Sequence, residues 1–274
     1  MFDHRDGCSQ RKASKKFNCS QQYISKTIKS KTRIRVYKKK RIPKRTNGQK
    51  DKIKIRCDRL YRKLESKSCV IDDESYFTKA HSTINGNNNF YSSDVSQAIA
   101  RVRFQPQAKF EEKMLVWTCL SDRGVSKPYF VPSGLAVNQN VYLEECIKKR
   151  LVPFIEKHHS DGQYLFWPDL ATSHYAKTVV NYFEEKNVNF VAKEDNPPNV
   201  PECRPVEHFC GILKGLVYEN NWQAKDLNQL RSRITKCLKN IDIDLVKSLM
   251  ESVRYRVGQV RKYGVVEQNS YRNK

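Results

Sequence analysis

The sequence predicts an α/β fold with a mixed sheet, preceded by a small all-α segment. Two observations support this prediction. From residue 68 onward, strand-like apolar segments alternate with segments whose apolar residues recur at helical spacing. Before residue 68, two short helical patterns flank a turn at residues 18–20. A chain of 274 residues therefore has room for one α/β domain and one small appendage.

Positive charge is concentrated at one end of the chain. Of the formal net charge of +23, +19 falls on residues 1–67 and only +4 on residues 68–274. A basic block beside a near-neutral body indicates that the chain binds a polyanion, and nucleic acid is favoured. A membrane surface is disfavoured because the block contains no long amphipathic helix with bulky apolar residues. No apolar run approaches the roughly 18–20 residues that span a bilayer.

The nine cysteines are scattered, odd in number, and contain no CxxC pair. This pattern disfavours both a disulfide scaffold and a zinc site, and it fits reduced thiols inside a cell. The first ten residues, MFDHRDGCSQ, do not have the pattern of a signal peptide.

Residues 9–30 predict a helix-turn-helix. Apolar residues recur at helical spacing on both sides of Asn18-Cys19-Ser20, and Ser20 is suited to cap a second helix at 21–29. That helix presents side chains of the types that contact base edges and phosphates, namely Gln21, Gln22, Ser25, Lys26 and Lys29. A two-helix hairpin with a solvated basic face is the alternative.

A basic run, KKKRIPKR at 38–45, follows the two helices. Pro43 and the following Thr46-Asn47-Gly48 predict an extended linker. Such a run can lie along DNA phosphates or in a minor groove, or act as a nuclear import signal, whereas a plain solvated linker is the alternative. The cations that we expect to contact DNA are Lys38, Lys39, Lys40, Arg41, Lys44 and Arg45. A basic helix at about 53–64 leads into the body.

The body, residues 68–265, shows strand and helix patterns in turn. Predicted strands are the short apolar start of SCVIDDESYF, then KMLVWTCLS, KPYFVPSG, QYLFWPD and the short VNFVAK. Four consecutive large apolar residues, Tyr164–Trp167, predict a strand buried on both faces. Predicted helices are NVYLEECIKKRLVPFIEKHH, YAKTVVNYFEEKN, RPVEHFCGILKGLVYE and amphipathic segments beyond residue 221.

Three acidic positions in the body are candidate metal ligands. The segment VIDD ends in Asp72-Asp73, Asp169 follows the strand QYLFWP, and Glu207 lies in the first turn of a helix. Carboxylates converging from two strand ends and a helix can hold two divalent ions for phosphodiester cleavage. Each position also has an ordinary interpretation: a solvated turn at 72–74, a turn cap at Asp169, and a favourable charge at a helix N-terminus for Glu207.

Together these segments resemble transposases of the Tc/mariner superfamily, over almost the whole chain. VIDDESYF resembles the segment with the family's first catalytic Asp, here Asp73, and VWTCLSDRG resembles the strand pair after it. YLFWPDLATSHYA resembles the second segment, with Asp169 and, five residues later, His174. NPPNVPECRPVEHFCGILK resembles the third, with Glu207 separated from Asp169 by 37 residues.

The resemblance implies an RNase H-like catalytic domain in which Asp73, Asp169 and Glu207 bind two Mg²⁺ ions, with Mn²⁺ as a substitute. It implies cut-and-paste DNA transposition in the nucleus: metal-dependent cleavage at transposon ends, then strand transfer into target DNA. The implied partners are double-stranded DNA and further copies of the chain, in a homodimer or larger assembly. The expected domains are a helix-turn-helix segment at 1–30, a basic linker and helix at 31–67, the catalytic domain at 68–265 and a tail at 266–274.

The chain departs from the family pattern in two places. Only one helix-turn-helix unit, rather than the usual two, fits before Lys38. In the helix of the third segment, Cys210 stands where Trp is usual, and His208 where an acidic or amide residue is common. A decayed copy, or a catalytically inactive or repurposed DNA-binding protein, is therefore the alternative to an active transposase. A nuclease acting on RNA is less favoured, because the helix-turn-helix indicates duplex DNA. The choice between Asp72 and Asp73 stays open, since a one-residue register shift turns the wrong one inward.

Overall fold

The structure is a computed structural model that divides into two compact units, residues up to Lys44 and residues from Arg45 onward. This division falls inside the predicted basic linker. The described residues are 9–34, 43–79, 92–104, 111–132 and 135–265. The predicted DNA contacts Lys38, Lys39, Lys40 and Arg41 lie outside these ranges.

The first unit contains two helices, α1 (Gln10–Lys16) and α2 (Gln21–Lys31). The turn between them contains Asn18, whose positive φ of 48° is a conformation that asparagine tolerates. The Ser20 hydroxyl accepts a hydrogen bond from the Tyr23 backbone N–H at 3.1 Å, so the predicted cap of the second helix is confirmed. Ala13 and Ile24 are the buried apolar residues of this unit.

The second unit is built on a mixed five-stranded sheet. The central strand β1 pairs antiparallel with β2 and parallel with β5, while β3 and β4 both pair with β2. The mixed sheet predicted from the sequence is therefore confirmed. The strands are β1 (Ser68–Thr78), β2 (Lys113–Ser121), β3 (Gly124–Val125), β4 (Tyr129–Val131) and β5 (Tyr164–Trp167).

Two predicted strands differ in extent from the observed ones. The segment VIDD does not end a strand, because β1 continues to Thr78, and its pairing with β2 runs on from Asp72↔Cys119 to Thr78↔Lys113. Residues 72–74 are therefore not the solvated turn considered above. The segment VNFVAK contributes only an isolated parallel bridge, between Phe166 and Phe190.

Helices cover both faces of this sheet. In chain order they are α3 (Asn47–Lys63), the short α4 (Ala100–Arg103), α5 (Gln139–Val141), α6 (Val152–His158), α7 (Lys177–Glu185), α8 (Val206–Val217), α9 (Leu227–Lys239) and α10 (Ile243–Tyr263). Between α5 and α6 the chain stays helical over Tyr142–Leu151 with wider turns than those of an α-helix.

The two apolar cores lie on opposite faces of the sheet. One core joins the sheet to α3, α8, α9 and α10, and the other joins it to the 139–158 helix and α7. Successive β5 residues alternate between them: Leu165 and Trp167 pack in the first core, and Tyr164 and Phe166 in the second. All four are buried, so burial of this strand on both faces is confirmed.

The eight cysteines within the described residues are all free thiols. In that same part of the chain, no helix has the length and apolarity needed to cross a bilayer.

Candidate metal centre

Asp73 and Asp169 meet at one edge of the sheet because of the parallel pairing of β1 with β5. The last pair in this register is Ile71 with Trp167, and each aspartate lies two residues beyond it. Carboxylate oxygens of Asp73, Glu74 and Asp169 lie within 4.8 Å of one another. The cluster thus forms where β1 continues along β2 after losing β5 as a neighbour.

Asp73 is held in an environment that penalises its negative charge. Burial is the main cause, the neighbouring Glu74 adds to it, and together they raise the pKa of Asp73 to about 7, even though the Arg204 guanidinium lowers it. The Asp73 Oδ1 atom accepts a hydrogen bond from the Glu74 backbone N–H at 2.9 Å. A carboxylate whose negative charge is penalised in this way is the kind of ligand that a hard divalent cation stabilises.

Asp169 is oriented by two groups. Its Oδ1 accepts a hydrogen bond from the Ala171 backbone N–H at 2.8 Å, so the residue does cap its turn, and it lies 2.6 Å from His174 Nδ1. Burial raises the pKa of Asp169, but the contact with His174 lowers it more, to about 2. The turn cap and a place in the acid cluster are therefore compatible, and Asp169 stays ionised.

His174 is buried between the acids and an aromatic ring. Its Nε2 lies 3.5 Å from Glu74 Oε1, and its ring stacks on Tyr142 with centroids 3.8 Å apart. Burial lowers the pKa of His174, but Asp169 and Glu74 raise it more, to about 10. The imidazole is therefore cationic at neutral pH and links two of the clustered carboxylates.

Asp72 points to the opposite face of β1 and is fully buried. Its Oδ2 accepts hydrogen bonds from Trp117 Nε1 at 3.0 Å and from the Tyr142 hydroxyl at 2.7 Å. Burial is the main cause that raises the pKa of Asp72. Asp72 thus fixes the tyrosine that stacks on His174, whereas Asp73 is the aspartate whose oxygen joins the cluster.

Arg204 ties together the two strands that carry the aspartates. Its guanidinium donates to the Trp167 carbonyl at 3.0 Å and to the Asp72 carbonyl at 2.9 Å, one acceptor on each strand. The guanidinium carbon also lies 5.1 Å from the centroid of the Trp167 ring. Arg204 therefore braces the two strands where their backbone pairing ends, next to Asp73 and Asp169.

Glu207 does not join the acid cluster in this structure. It lies in the first turn of α8 and is exposed to solvent. Cys210, one turn later, is buried; burial raises the pKa of its thiol to about 12, and the charges of Asp73 and Glu207 contribute. The first turns of α8 therefore run alongside the Asp73 face of β1, and Glu74 occupies the third place in the cluster.

The predicted DNA contacts within the described residues lie on α2 and at Lys44 and Arg45. Gln21, Gln22, Lys26 and Lys29 are exposed on α2, and Ser25 is half-buried. A surface depression of about 410 Å³ on this helix is lined by Gln22, Ser25, Lys26, Lys29 and Ser30.

Arg45 needs a correction, although the neighbouring Lys44 is exposed as expected. The Arg45 side chain is only 1% exposed, it donates to the Asn199 carbonyl at 2.6 Å, and it forms an ion pair with Glu202 at 2.8 Å. Because its guanidinium is engaged inside the second unit, Arg45 fastens the start of α3 and is not available to a phosphate.

Sequence reasoning missed Glu74, Tyr142 and Arg204 as parts of the site. Glu74 is the acid directly after Asp73, but it entered the sequence analysis only as part of a possible solvated turn at 72–74. Tyr142 and Arg204 lie 70 and 132 residues from Asp72, and no local pattern connects positions so far apart.

No family model matches the chain. Among curated proteins, the Tc3 transposase of Caenorhabditis elegans is 26% identical over 147 residues. The matched stretch covers 54% of this chain and 43% of that transposase, so it spans less than half of the relative's length.

Solved structures of Mos1 transposase have the same fold. The Mos1 mariner paired-end complex with Mn superposes with a TM-score of 0.75 at 16% identity, covering 98% of this chain and 77% of that one. The isolated catalytic domain of Mos1 transposase superposes with a TM-score of 0.59 at 14% identity, covering 81% of this chain and 97% of that domain. The second unit therefore has the RNase H-like fold expected from the motifs. The chain is therefore similar in sequence to the Tc3 transposase over part of its length, and it shares its fold with the Mos1 transposase.

Proposed function

We propose that the protein is a DNA transposase that cleaves duplex DNA at transposon ends and joins the freed end to target DNA. The observation that carries this proposal is the cluster of Asp73, Glu74 and Asp169, held at one sheet edge by the β1–β5 pairing. An oxygen-only donor set of this charge fits Mg²⁺ or Mn²⁺. When bound, two such ions stabilise the attacking and leaving oxygens of a phosphodiester displacement.

Each residue has a distinct part in this function. Asp73 and Asp169 hold the metal ions, and His174 keeps Asp169 ionised and turned toward the cluster. Arg204 sets the distance between the two strands. Glu207 supplies a further ligand if the first turn of α8 brings its side chain inward, and otherwise Glu74 takes that role.

DNA recognition belongs to the first unit in this proposal. Helix α2 contacts the terminal inverted repeats through Gln21, Gln22, Ser25, Lys26 and Lys29. The basic run, which includes Lys44, follows the sugar–phosphate backbone of the DNA. The protein acts in the nucleus, as a homodimer or larger assembly that holds two ends, and two Mg²⁺ ions are its metal cofactor. The matched Mos1 structures include paired-end and strand-transfer complexes, which supports this assembly.

The test is metal-dependent nicking of a labelled duplex that carries the ends of the element encoding this chain. We expect nicking with Mg²⁺ or Mn²⁺ and its loss in Asp73→Asn and Asp169→Asn. The matched control is Glu185→Gln, which neutralises an exposed acid on α7 and should leave nicking intact. Comparing Glu74→Gln with Glu207→Gln identifies the third ligand, because only the acid that binds metal should be required.

A DNA-binding protein without catalysis is the second candidate. It is favoured by the position of the Glu207 carboxylate outside the cluster. If neither metal supports nicking while the duplex stays bound in EDTA, the transposase proposal fails and this candidate replaces it.

A further inference from the structure

A second cationic site lies on the catalytic unit, away from the acid cluster. It is a groove of about 840 Å³ between α3 and α10, and its lining contains none of the clustered acids. Its charged residues are five cations and one acid: Lys54, Asp58, Arg59, Arg62, Arg261 and Lys262.

The groove carries more positive charge than Asp58 and the nearby Asp195, which pairs with Arg59 at 3.2 Å, can balance. Asp58 accepts ion pairs from Arg62 and Arg261, each at 2.6 Å. Lys54 and Lys262 are exposed and have no carboxylate within ion-pair distance among the described residues. Unbalanced cations in a concave surface attract a polyanion, since the surrounding low-dielectric walls concentrate their field.

One wall of the groove is built around the Tyr61 ring. The guanidinium carbons of Arg254 and Arg261 lie 4.6 and 4.7 Å from its centroid. Gly258 of α10 permits this packing, because a Cβ there would lie 2.9 Å from Tyr61 Cε2. The close packing of α10 on Tyr61 leaves Arg261 held between the Tyr61 ring and Asp58.

Exposed apolar groups lie between the cations. Tyr255 is 68% exposed and Ile55 is 55% exposed. A large aromatic side chain beside unpaired lysines suits the sugar–phosphate backbone of a nucleic acid, where the ring contacts sugars and its hydroxyl donates to phosphate. Lys54 and Arg62 lie on one face of α3 about 12 Å apart along its axis, a length that spans several phosphates of one strand. Asp58 lies between them and is engaged by Arg62 and Arg261.

We propose that the α3–α10 groove binds the phosphate backbone of duplex DNA without reading its sequence. The inference rests on the proposed function, since it assigns the catalytic unit its own DNA contact in addition to α2. The side chains that line the groove are on the flanks of two packed helices, so they meet phosphates and sugars rather than base edges. DNA on either side of the recognised repeat, or the target duplex, has the chemistry that this groove requires.

The experiment measures binding of the full chain to a duplex of unrelated sequence, in EDTA, over a range of salt concentrations. The test variant is Lys54→Gln with Lys262→Gln. The matched control is Lys236→Gln with Lys239→Gln, which removes the same charge from exposed positions of α9. We expect weaker binding by the groove variant and a log–log salt dependence less steep by about 2, one unit for each lost phosphate contact.

Equal affinities and equal salt slopes for the groove and control variants would overturn the proposal. A change in sedimentation of the DNA-free protein, with DNA binding unchanged, would also overturn it, because the groove would then contact a second copy of the chain. Because the measurement is made without metal, its outcome is independent of nicking. If the protein does not nick DNA, the binding measurement on the groove can still be interpreted. If the groove does not bind DNA, the nicking test can still be interpreted.

Discussion

His174 and Asp169 form the closest charged contact of the metal centre, with Nδ1 and Oδ1 2.6 Å apart. Among the described residues no donor reaches the second oxygen of Asp169, which leaves Oδ2 for a metal ion. His174 and the Ala171 backbone N–H thus contact the same oxygen of Asp169 and together orient its carboxylate.

Replacing His174 should weaken metal binding more than it weakens folding. We expect His174→Ala to lower the affinity for Mn²⁺ by about 10- to 100-fold, the usual effect of losing a residue that orients a ligand. His174→Asn, whose amide can donate from near the position of Nδ1, should recover part of the affinity. Electron paramagnetic resonance of free Mn²⁺ gives the measurement. The control is His158→Ala, and equal affinities for His174→Ala and this control would contradict the assignment.

Two variants of Tyr142 should show that its hydroxyl supports stability and its ring supports metal binding. Tyr142→Phe keeps the ring that stacks on His174 but removes a donor to the buried Asp72, so the free energy of unfolding should fall by about 1–3 kcal/mol. Its Mn²⁺ affinity should stay near that of the wild type. Tyr142→Leu removes the stacked ring as well and should lose both. Urea unfolding and Mn²⁺ titration of the two variants measure these effects, and a large affinity loss in Tyr142→Phe would show that the hydroxyl, not the stack, positions His174.

Asp73 should destabilise the metal-free protein above pH 4. Its folded-state pKa of about 7 exceeds its ordinary value of 3.8, so between these values the folded state binds more protons than the unfolded state. Stability therefore falls as pH rises through this window. In EDTA at pH 8, Asp73→Asn should raise the free energy of unfolding by about 1–3 kcal/mol.

The same pair of proteins gives an internal check on Asp73. Adding Mg²⁺ should stabilise the wild type and leave Asp73→Asn unchanged, because the variant lacks a ligand. The measurement is urea unfolding at pH 5 and pH 8 with and without metal. A variant no more stable than the wild type at pH 8 in EDTA would contradict the raised pKa.

Arg204 should be needed for both folding and metal binding. Arg204→Met removes two charge-assisted hydrogen bonds to carbonyls of neighbouring strands, and we expect a loss of about 2–4 kcal/mol in the free energy of unfolding. Arg204→Lys can reach only one carbonyl at a time, so its free energy of unfolding should lie between those of the wild type and Arg204→Met.

The matched control for Arg204 is Arg233→Met. Arg233 also donates to two carbonyls, those of Leu216 and Val217 at the end of α8. This control should lower stability without changing Mn²⁺ affinity. If Arg204→Met also keeps wild-type affinity, the spacing of the strands does not set the geometry of the site.

Local patterns account for much of the architecture and for two of the clustered acids. The run Tyr164–Trp167 could be assigned as a strand buried on both faces because every position is large and apolar, and Asp169 follows it directly. The end of β1 could not be predicted, because the strand is prolonged by pairing with β2, whose partner residues lie 35 to 45 positions away. Antiparallel pairing of that kind leaves no mark in the sequence of one strand.

The remaining parts of the site depend on how separate elements pack. The choice between Asp72 and Asp73 is made by Trp117 and Tyr142, which bind Asp72 on one face of the sheet. The exposed position of Glu207 depends on how α8 is rotated against β1, which no spacing along the chain specifies. Arg45 was assigned to DNA from a run of like charges, yet Asn199 and Glu202 engage it.

The parallel register of β1 with β5 has a consequence for how the protein is made. Asp73 and Asp169 are 96 residues apart, and they become neighbours only after β5 has been synthesised and has docked beside β1. Contacts between such distant segments form late, since closing a long loop must precede them. A nascent or half-folded chain therefore has its basic segment before it has a complete set of metal ligands. Under the function proposed above, such a chain can meet DNA before it is able to cut it.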